Sequence, residues 1–335
     1  EQFGRVVDSR QLEKCIACHT TQARLVNHEL TELIPHVGCE NCHGPGGDHV
    51  TAQQAGRTGP EFRVAHRWPA ALGGSQKSQK TSETIDEAVN GAPFYVMGYV
   101  DGIVLDSPDR AATMPVALRV QASEHLIDVL ADLHAVDVDQ VGLGDLAKRE
   151  GYVARQVKRW STQWAQSKTR ELPAIDEVAR LLGERLPEQR GVVIAHGDYR
   201  FGNCLTDVAA GRIAAVLDWE LCTLGDPLAD VGYLGVYWYD GEAANTRAND
   251  PTSAGGFPSY PDLLQRYALR TGRDLSGIGY YVAFSCWRLA VISEGVYARY
   301  LHGAMGSQEG VEFETFKVGT EGLAERALEA MRRLS

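Results

Sequence analysis

The sequence has no basic excess: 33 Lys and Arg face 44 Asp and Glu, giving a formal net charge of −11. Nucleic-acid binding needs a basic face, so no nucleic-acid partner is expected. An uncharged apolar run of membrane-spanning length is also missing. The most apolar stretch, IGYYVAFSCWRLAVISEGVYARYL, carries Arg288, Glu294 and Arg299. It reads as a buried helix of a water-soluble core, and no membrane span is expected. The opening residues EQFGRVVDSR have neither the basic region nor the apolar stretch of a signal peptide. What is present is an ordinary globular composition, 44% hydrophobic and 23% charged. At 335 residues there is room for two domains, or one large domain with an appendage. The acidity is uneven: residues 1–70 hold seven Lys/Arg and eight Asp/Glu, so nearly all the net charge lies beyond them.

Four of the seven cysteines fall between Cys15 and Cys42, while Cys204, Cys222 and Cys286 are scattered and read as small buried apolar residues. The four form KCIACHT and GCENCHG, which place His19 after Cys15 and Cys18, and His43 after Cys39 and Cys42. The thiol spacing also fits a long zinc ribbon. A ribbon has no use for a histidine after each pair. Haem c attachment needs one, because two thioethers hold the porphyrin and the histidine reaches the iron. With the piece VGCENCHGPGGDHV, the segment resembles multihaem cytochromes c. That resemblance implies two covalent haems, a redox partner if they are loaded, and His49 as a distal ligand, with His28 or His36 as alternatives. The competing reading of these histidines is solvated loop residues. Residues 1–50 are therefore expected to be a cytochrome c-like fragment. Residues 51–87, ending near GGSQKSQKTSET, read as a linker without a G-x4-G-K-[ST] phosphate loop.

From Asn90 the texture changes. GAPFYVMGYVDG alternates like a strand and ends in an Asp-Gly turn. ASEHLIDVLADLHAVD puts Leu126, Val129, Leu130 and Leu133 on one helical face, and GYVARQVKRWSTQWAQ does the same with Val153, Val157, Trp160 and Trp164. Then GVVIAHGDYRFGNCLTDVAAGRIAAVLDWE predicts a buried strand, a polar loop and a strand pair leading to Asp218. The order His196, Asp198, Asn203, Asp218 follows a kinase catalytic loop and its metal-binding aspartate, with Asn203 five residues after Asp198. Phosphoryl transfer needs a carboxylate beside the acceptor hydroxyl, which Asp198 supplies, and hard oxygen ligands for Mg2+, which Asn203 and Asp218 supply. The bland alternative is a set of loop-capping polar residues.

AHGDYRFGN, AVLDWELCTLGDPLADVGYL and FYVMGYVDG resemble the aminoglycoside phosphotransferase and choline kinase-like family, in particular its branch associated with acyl-CoA dehydrogenases. LADLHAVDVDQVGLGDL and FSCWRLAVISEGVYARYLHG strengthen the likeness, which covers about residues 88–305. The resemblance implies an α+β, protein kinase-like fold over 88–335, using Mg2+ and ATP. It implies Asp198 as base, His196 in the catalytic loop as its brace, and Asn203 and Asp218 as Mg2+ ligands. Arg200, Asp226 and Asp230 would support the site, and Tyr95, Val96, Met97, Gly98 and Tyr99 would form the nucleotide hinge. The acceptor would be a small hydroxylated molecule, a hydroxy acid or its acyl thioester. Trp160, Trp164, Trp238 and Trp287 read as core or as lining for its pocket.

The family pattern breaks before Gly91. No glycine-rich strand pair, strand lysine or helical glutamate can be assigned there, and Lys77 and Lys80 sit in the linker. The expectation is a large helical lobe with most of the small lobe missing, and hence impaired catalysis. Haem attachment outside the cytoplasm also conflicts with ATP use inside it, so the chain reads as a join of two unrelated segments. The kinase reading places it in the cytoplasm, and a loaded haem segment would place it in the periplasm. A dihaem electron carrier and a non-catalytic Mg-nucleotide-binding module remain the alternatives.

Overall fold

The computed structural model describes residues 100–239, 250–303 and 313–334, together with the backbone of β1 (Gln22–Val26) and β2 (Glu29–Ile34). These two strands pair antiparallel, with Leu25 opposite Leu30. The two C-x-x-C-H motifs, His49, the 51–87 linker and the hinge residues 95–99 lie outside the described residues.

Helices supply most of the frame. Ser107 caps α1 (Pro108–Ala112) by accepting from the Arg110 amide, with proline in the first turn. In α2 (Val116–Ala135), Leu126, Leu130 and Leu133 are buried and Val129 packs against them half-buried. The helices α3 (Tyr152–Ser167) and α4 (Pro173–Glu184) bury one face each, Val153, Val157, Trp160 and Trp164 on the first and Val178 and Leu182 on the second. They pack with the buried α7 (Ile278–Leu301) and the inner face of the final helix, α8 (Glu314–Arg333).

All four tryptophans singled out from sequence are core residues, at most 4% exposed. Their indole N–H groups are satisfied inside: Trp164 donates to Asp176 Oδ1 at 2.7 Å, Trp238 to the Pro258 oxygen at 2.8 Å and Trp287 to the Ile175 oxygen at 3.1 Å. An aromatic side chain packed and bonded in this way contributes stability, about 3–5 kcal/mol against alanine, and leaves no face for a ligand.

Three short strand pairs are present among the described residues, and two of them build the site. The strand β3 (Val193–Ala195) pairs antiparallel with β6 (Thr223–Gly225). The hairpin of β4 (Cys204–Asp207) and β5 (Arg212–Val216) sets Cys204 opposite Val216. Its turn is held by Asp207 Oδ1, which accepts from the amides of Ala209 and Ala210. Residue Ile103 joins this hairpin through paired backbone bonds with Thr206, at 2.9 and 2.8 Å. The chain ahead of α1 is thereby fixed to the β4–β5 hairpin. Helix α5 (Pro227–Val236) follows β6, and α6 (Tyr260–Thr271) opens with a Ser259–Asp262 capping box. On its outer side α6 is clipped to α2, where Arg266 holds Asp128 at 2.8 Å through both Nε and Nη2.

Candidate active site

The loop between β3 and β4 carries His196, Asp198, Arg200 and Asn203, and the end of β5 delivers Asp218. Sequence spacing predicted that neighbourhood, and the hydrogen bonds define it. The Asn203 carbonyl accepts from the Leu217 amide at 2.8 Å, extending the hairpin ladder by one step. On its other side Leu217 accepts at 2.8 Å from Nε2 of His196. Leu217 is therefore clamped between the two ends of this loop, and Asp218 comes next in the chain. Asp218 has φ 62, the one positive φ of a non-glycine among the described residues. Aspartate tolerates this conformation better than most residues, yet it costs about 1 kcal/mol and must be held by its surroundings.

His196 is completely buried. Its Nδ1 accepts from the Asp198 amide at 3.2 Å while Nε2 faces the Leu217 oxygen, which assigns the ring proton to Nε2. Both ring nitrogens are thus spent on backbone. This geometry braces the loop and leaves no nitrogen for a reacting proton.

Asp198 is 7% exposed. Asn203 Nδ2 donates to its Oδ2 at 2.7 Å and to its main-chain oxygen at 2.8 Å. Among the described residues no donor bonds the Asn203 amide oxygen, so it remains available as a hard ligand. Asp218, whose carboxylate would be the second, is exposed. An amide oxygen and a carboxylate near the buried carboxylate of Asp198 are a donor set suited to Mg2+. Within the described residues no cluster of three or more His, Cys, Asp or Glu side chains suits a metal.

The two carboxylates of GDPLAD are buried beneath this loop. Asp226 caps α5, accepting from the Leu228 amide at 2.9 Å, from the Arg190 amide at 2.7 Å and from Tyr281 Oη at 2.9 Å. Asp230 accepts the amides of His196 and Gly197 at 2.7 and 2.8 Å, and meets His134 Nε2 at 3.3 Å. Burial alone would raise the Asp230 carboxyl. The His134 bond and charge, with the Gly197 amide, outweigh burial and hold it below the usual carboxylate range. Gly197 itself is at φ 84, and a Cβ there would lie 2.9 Å from the Leu221 oxygen, so only glycine fits before Asp198.

Two residues of this network were not singled out from sequence as site residues. Arg288, from the middle of α7, donates to the Gly197 oxygen at 2.6 Å and lies 4.4 Å from the Tyr233 ring centre. Its signal was a charge inside an apolar helix, noted above only as one of three breaks in a membrane-like run. His134, at the end of α2, bridges Tyr267 Oη at 2.7 Å to Asp230. Nothing local distinguishes it from a surface histidine. The scattered cysteines take no part in the site: burial pushes the thiols of Cys204 and Cys222 up to about 12, so neither is a nucleophile near neutrality.

Comparison with known proteins identifies the family. A family model described as "Phosphotransferase enzyme family" matches residues 54–266, starting inside the stretch read from sequence as a linker. A second, "Cytochrome c554 and c-prime", matches residues 2–44. The chain is 34% identical over 227 residues to mouse acyl-CoA dehydrogenase family member 10, covering 66% of this chain and 21% of that protein. It is 33% identical over 261 residues to chicken acyl-CoA dehydrogenase family member 11, covering 75% of this chain and 32% of the relative. The chain thus spans a third or less of these curated relatives. Among solved structures, a Ralstonia eutropha protein provisionally described as an aminoglycoside phosphotransferase superposes with a TM-score of 0.65 at 33% identity, over 74% of this chain and 75% of that one. No helix among the described residues is long and apolar enough to cross a membrane.

Proposed function

Because this chain belongs to the phosphotransferase enzyme family, we propose that it moves the γ-phosphoryl group of ATP to a hydroxyl of a small molecule. The observation that carries the reading is the bonded triad of Asp198, Asn203 and the Leu217–Asp218 step. It ties a buried carboxylate on the β3–β4 loop to an unspent amide oxygen at one end of the hairpin, with an exposed carboxylate just past the other. Asp198 orients the acceptor hydroxyl and takes its proton as the bond to phosphorus forms. Asn203 and Asp218 would hold Mg2+, which when bound offsets charge on the nucleotide phosphates. His196 and Asp230 fix the loop, so the base needs no reorganisation when substrate arrives.

Within this reading the acceptor is a hydroxy acid or its acyl thioester. The support is the recurrence of similar sequence in proteins named as acyl-CoA dehydrogenase family members. The hinge residues 95–99 would take the nucleotide base. Activity is expected to be low, because the sequence before Gly91 offers no lysine–glutamate phosphate clamp. Haem c at the two C-x-x-C-H motifs would be a separate feature of residues 1–50, with similarity to "Cytochrome c554 and c-prime" over 2–44 in its favour.

The test is ADP release by the full chain with ATP, Mg2+ and a panel of short hydroxy acids, their acyl thioesters, aminoglycosides and choline. Slow, Mg2+-dependent turnover with hydroxy acids or thioesters supports the proposal. Nucleotide-dependent thermal stabilisation with no turnover on any acceptor would favour a binding module instead.

A further inference from the structure

One cation of the catalytic loop is not accounted for by holding the loop together. Arg200 stands two residues after Asp198, and its Nε reaches Asp198 Oδ1 at a long 3.4 Å. Among the described residues neither of its outer nitrogens donates to any acceptor, so four of the five guanidinium N–H groups are unspent. A structural arginine–carboxylate pair in this chain looks different, as Arg266 grips Asp128 through two bonds of 2.8 Å. Nor is Arg200 loose in solvent. Its side chain is 30% exposed and its guanidinium lies 4.9 Å from the centre of the Tyr237 ring. Gly202 leaves that space open, since a Cβ there would run into Nη1. The chain has therefore built a slot, floored by an aromatic ring and opened by a glycine, that holds a guanidinium beside the base.

We propose that Arg200 is an oxyanion-binding residue, whose outer nitrogens take two oxygens of an anionic group brought next to Asp198. A planar guanidinium on an aromatic face is suited to forked recognition of carboxylate or phosphoryl oxygens. Because the fork is positioned before the ligand arrives, little rotamer entropy is lost on binding. Two sources share this chemistry: the carboxylate of a hydroxy-acid acceptor and the transferring phosphoryl group. The placement at the reacting group rests on the phosphotransferase reading, whereas the anion binding does not.

The experiment is isothermal titration of the full chain with inorganic phosphate and, separately, with 3-hydroxybutyrate. Wild type is compared with R200Q, R200K and G202A, each checked for folding by circular dichroism. Losing one forked, charge-assisted contact weakens binding about 10- to 100-fold. R200Q should show that loss and R200K a smaller one. G202A should weaken binding with the charge retained, because it displaces the guanidinium. Loss confined to phosphate assigns the slot to the phosphoryl group, and loss confined to 3-hydroxybutyrate assigns it to the acceptor carboxylate. Equal affinity in wild type and R200Q for both probes, or no binding of either by wild type, overturns the proposal. Binding that depends on Arg200 in a chain without turnover would uphold the slot and count against the phosphotransferase reading alone.

Discussion

His196 donates from Nε2 to the main-chain oxygen of Leu217 at 2.8 Å, tying the loop that carries Asp198 to the residue before Asp218. One ring thereby links the backbone of Asp198, the proposed base, to the residue before Asp218, the proposed metal ligand. Replacing it by alanine leaves the Asp198 amide and the Leu217 oxygen without their side-chain partner in a buried site. H196A is expected to cost on the order of 2–3 kcal/mol in thermal unfolding. It should also abolish the rise in melting temperature produced by Mg2+ with nucleotide, because Asp218 loses its hold. A melting temperature and a Mg2+-nucleotide response both equal to wild type would show that the hairpin alone sets the geometry.

Asp230 predicts a dependence on acid. Its carboxyl is held below the ordinary value of 3.8 in the folded chain, so the unfolded chain binds that proton more readily. Its stabilisation is complete above about pH 5 and is lost as pH falls through the folded value. D230N should therefore be much less stable than wild type at neutral pH, by on the order of 3 kcal/mol. The gap between the two should begin to narrow below about pH 4. Denaturation curves taken from pH 7 down to 3 check this, and a gap constant across that range contradicts it.

Arg288 carries the same loop from the opposite side. R288M keeps much of the side-chain length but leaves the Gly197 oxygen without its donor and removes the cation from the Tyr233 face. The expected cost is about 2–4 kcal/mol, visible as a lower urea midpoint with an unchanged slope. An unchanged midpoint would place Arg288 outside the frame that supports Asp198.

What could be read from the sequence was local. His196, Asp198 and Asn203 lie within eight residues, and one hairpin returns Asp218 to them, so spacing alone was sufficient. The tryptophan stripes of α3 were legible because helical period fixes which side chains share a face. The supports were not. Arg288 meets Gly197 across 91 positions and His134 meets Asp230 across 96, contacts decided by how helices pack. The left-handed backbone of Asp218 was equally hidden, since aspartate marks such a conformation far less clearly than glycine does. Arg200 was named from the sequence only as support for the site, as the family resemblance implied. Its unspent donors depend on where Tyr237 and Gly202 lie around it.

The central claim is that Asp198 serves as the base for phosphoryl transfer on the hairpin built by Asn203 and Asp218. The measurement that tests it most directly is transfer of labelled γ-phosphate from ATP to a hydroxy-acid acceptor, followed in single turnover for wild type and D198N at equal nucleotide occupancy. The account predicts slow transfer by wild type and a fall of about 10²- to 10⁴-fold in D198N, with nucleotide binding retained. Equal transfer rates in the two proteins, or none in wild type at saturating nucleotide and acceptor, would contradict it.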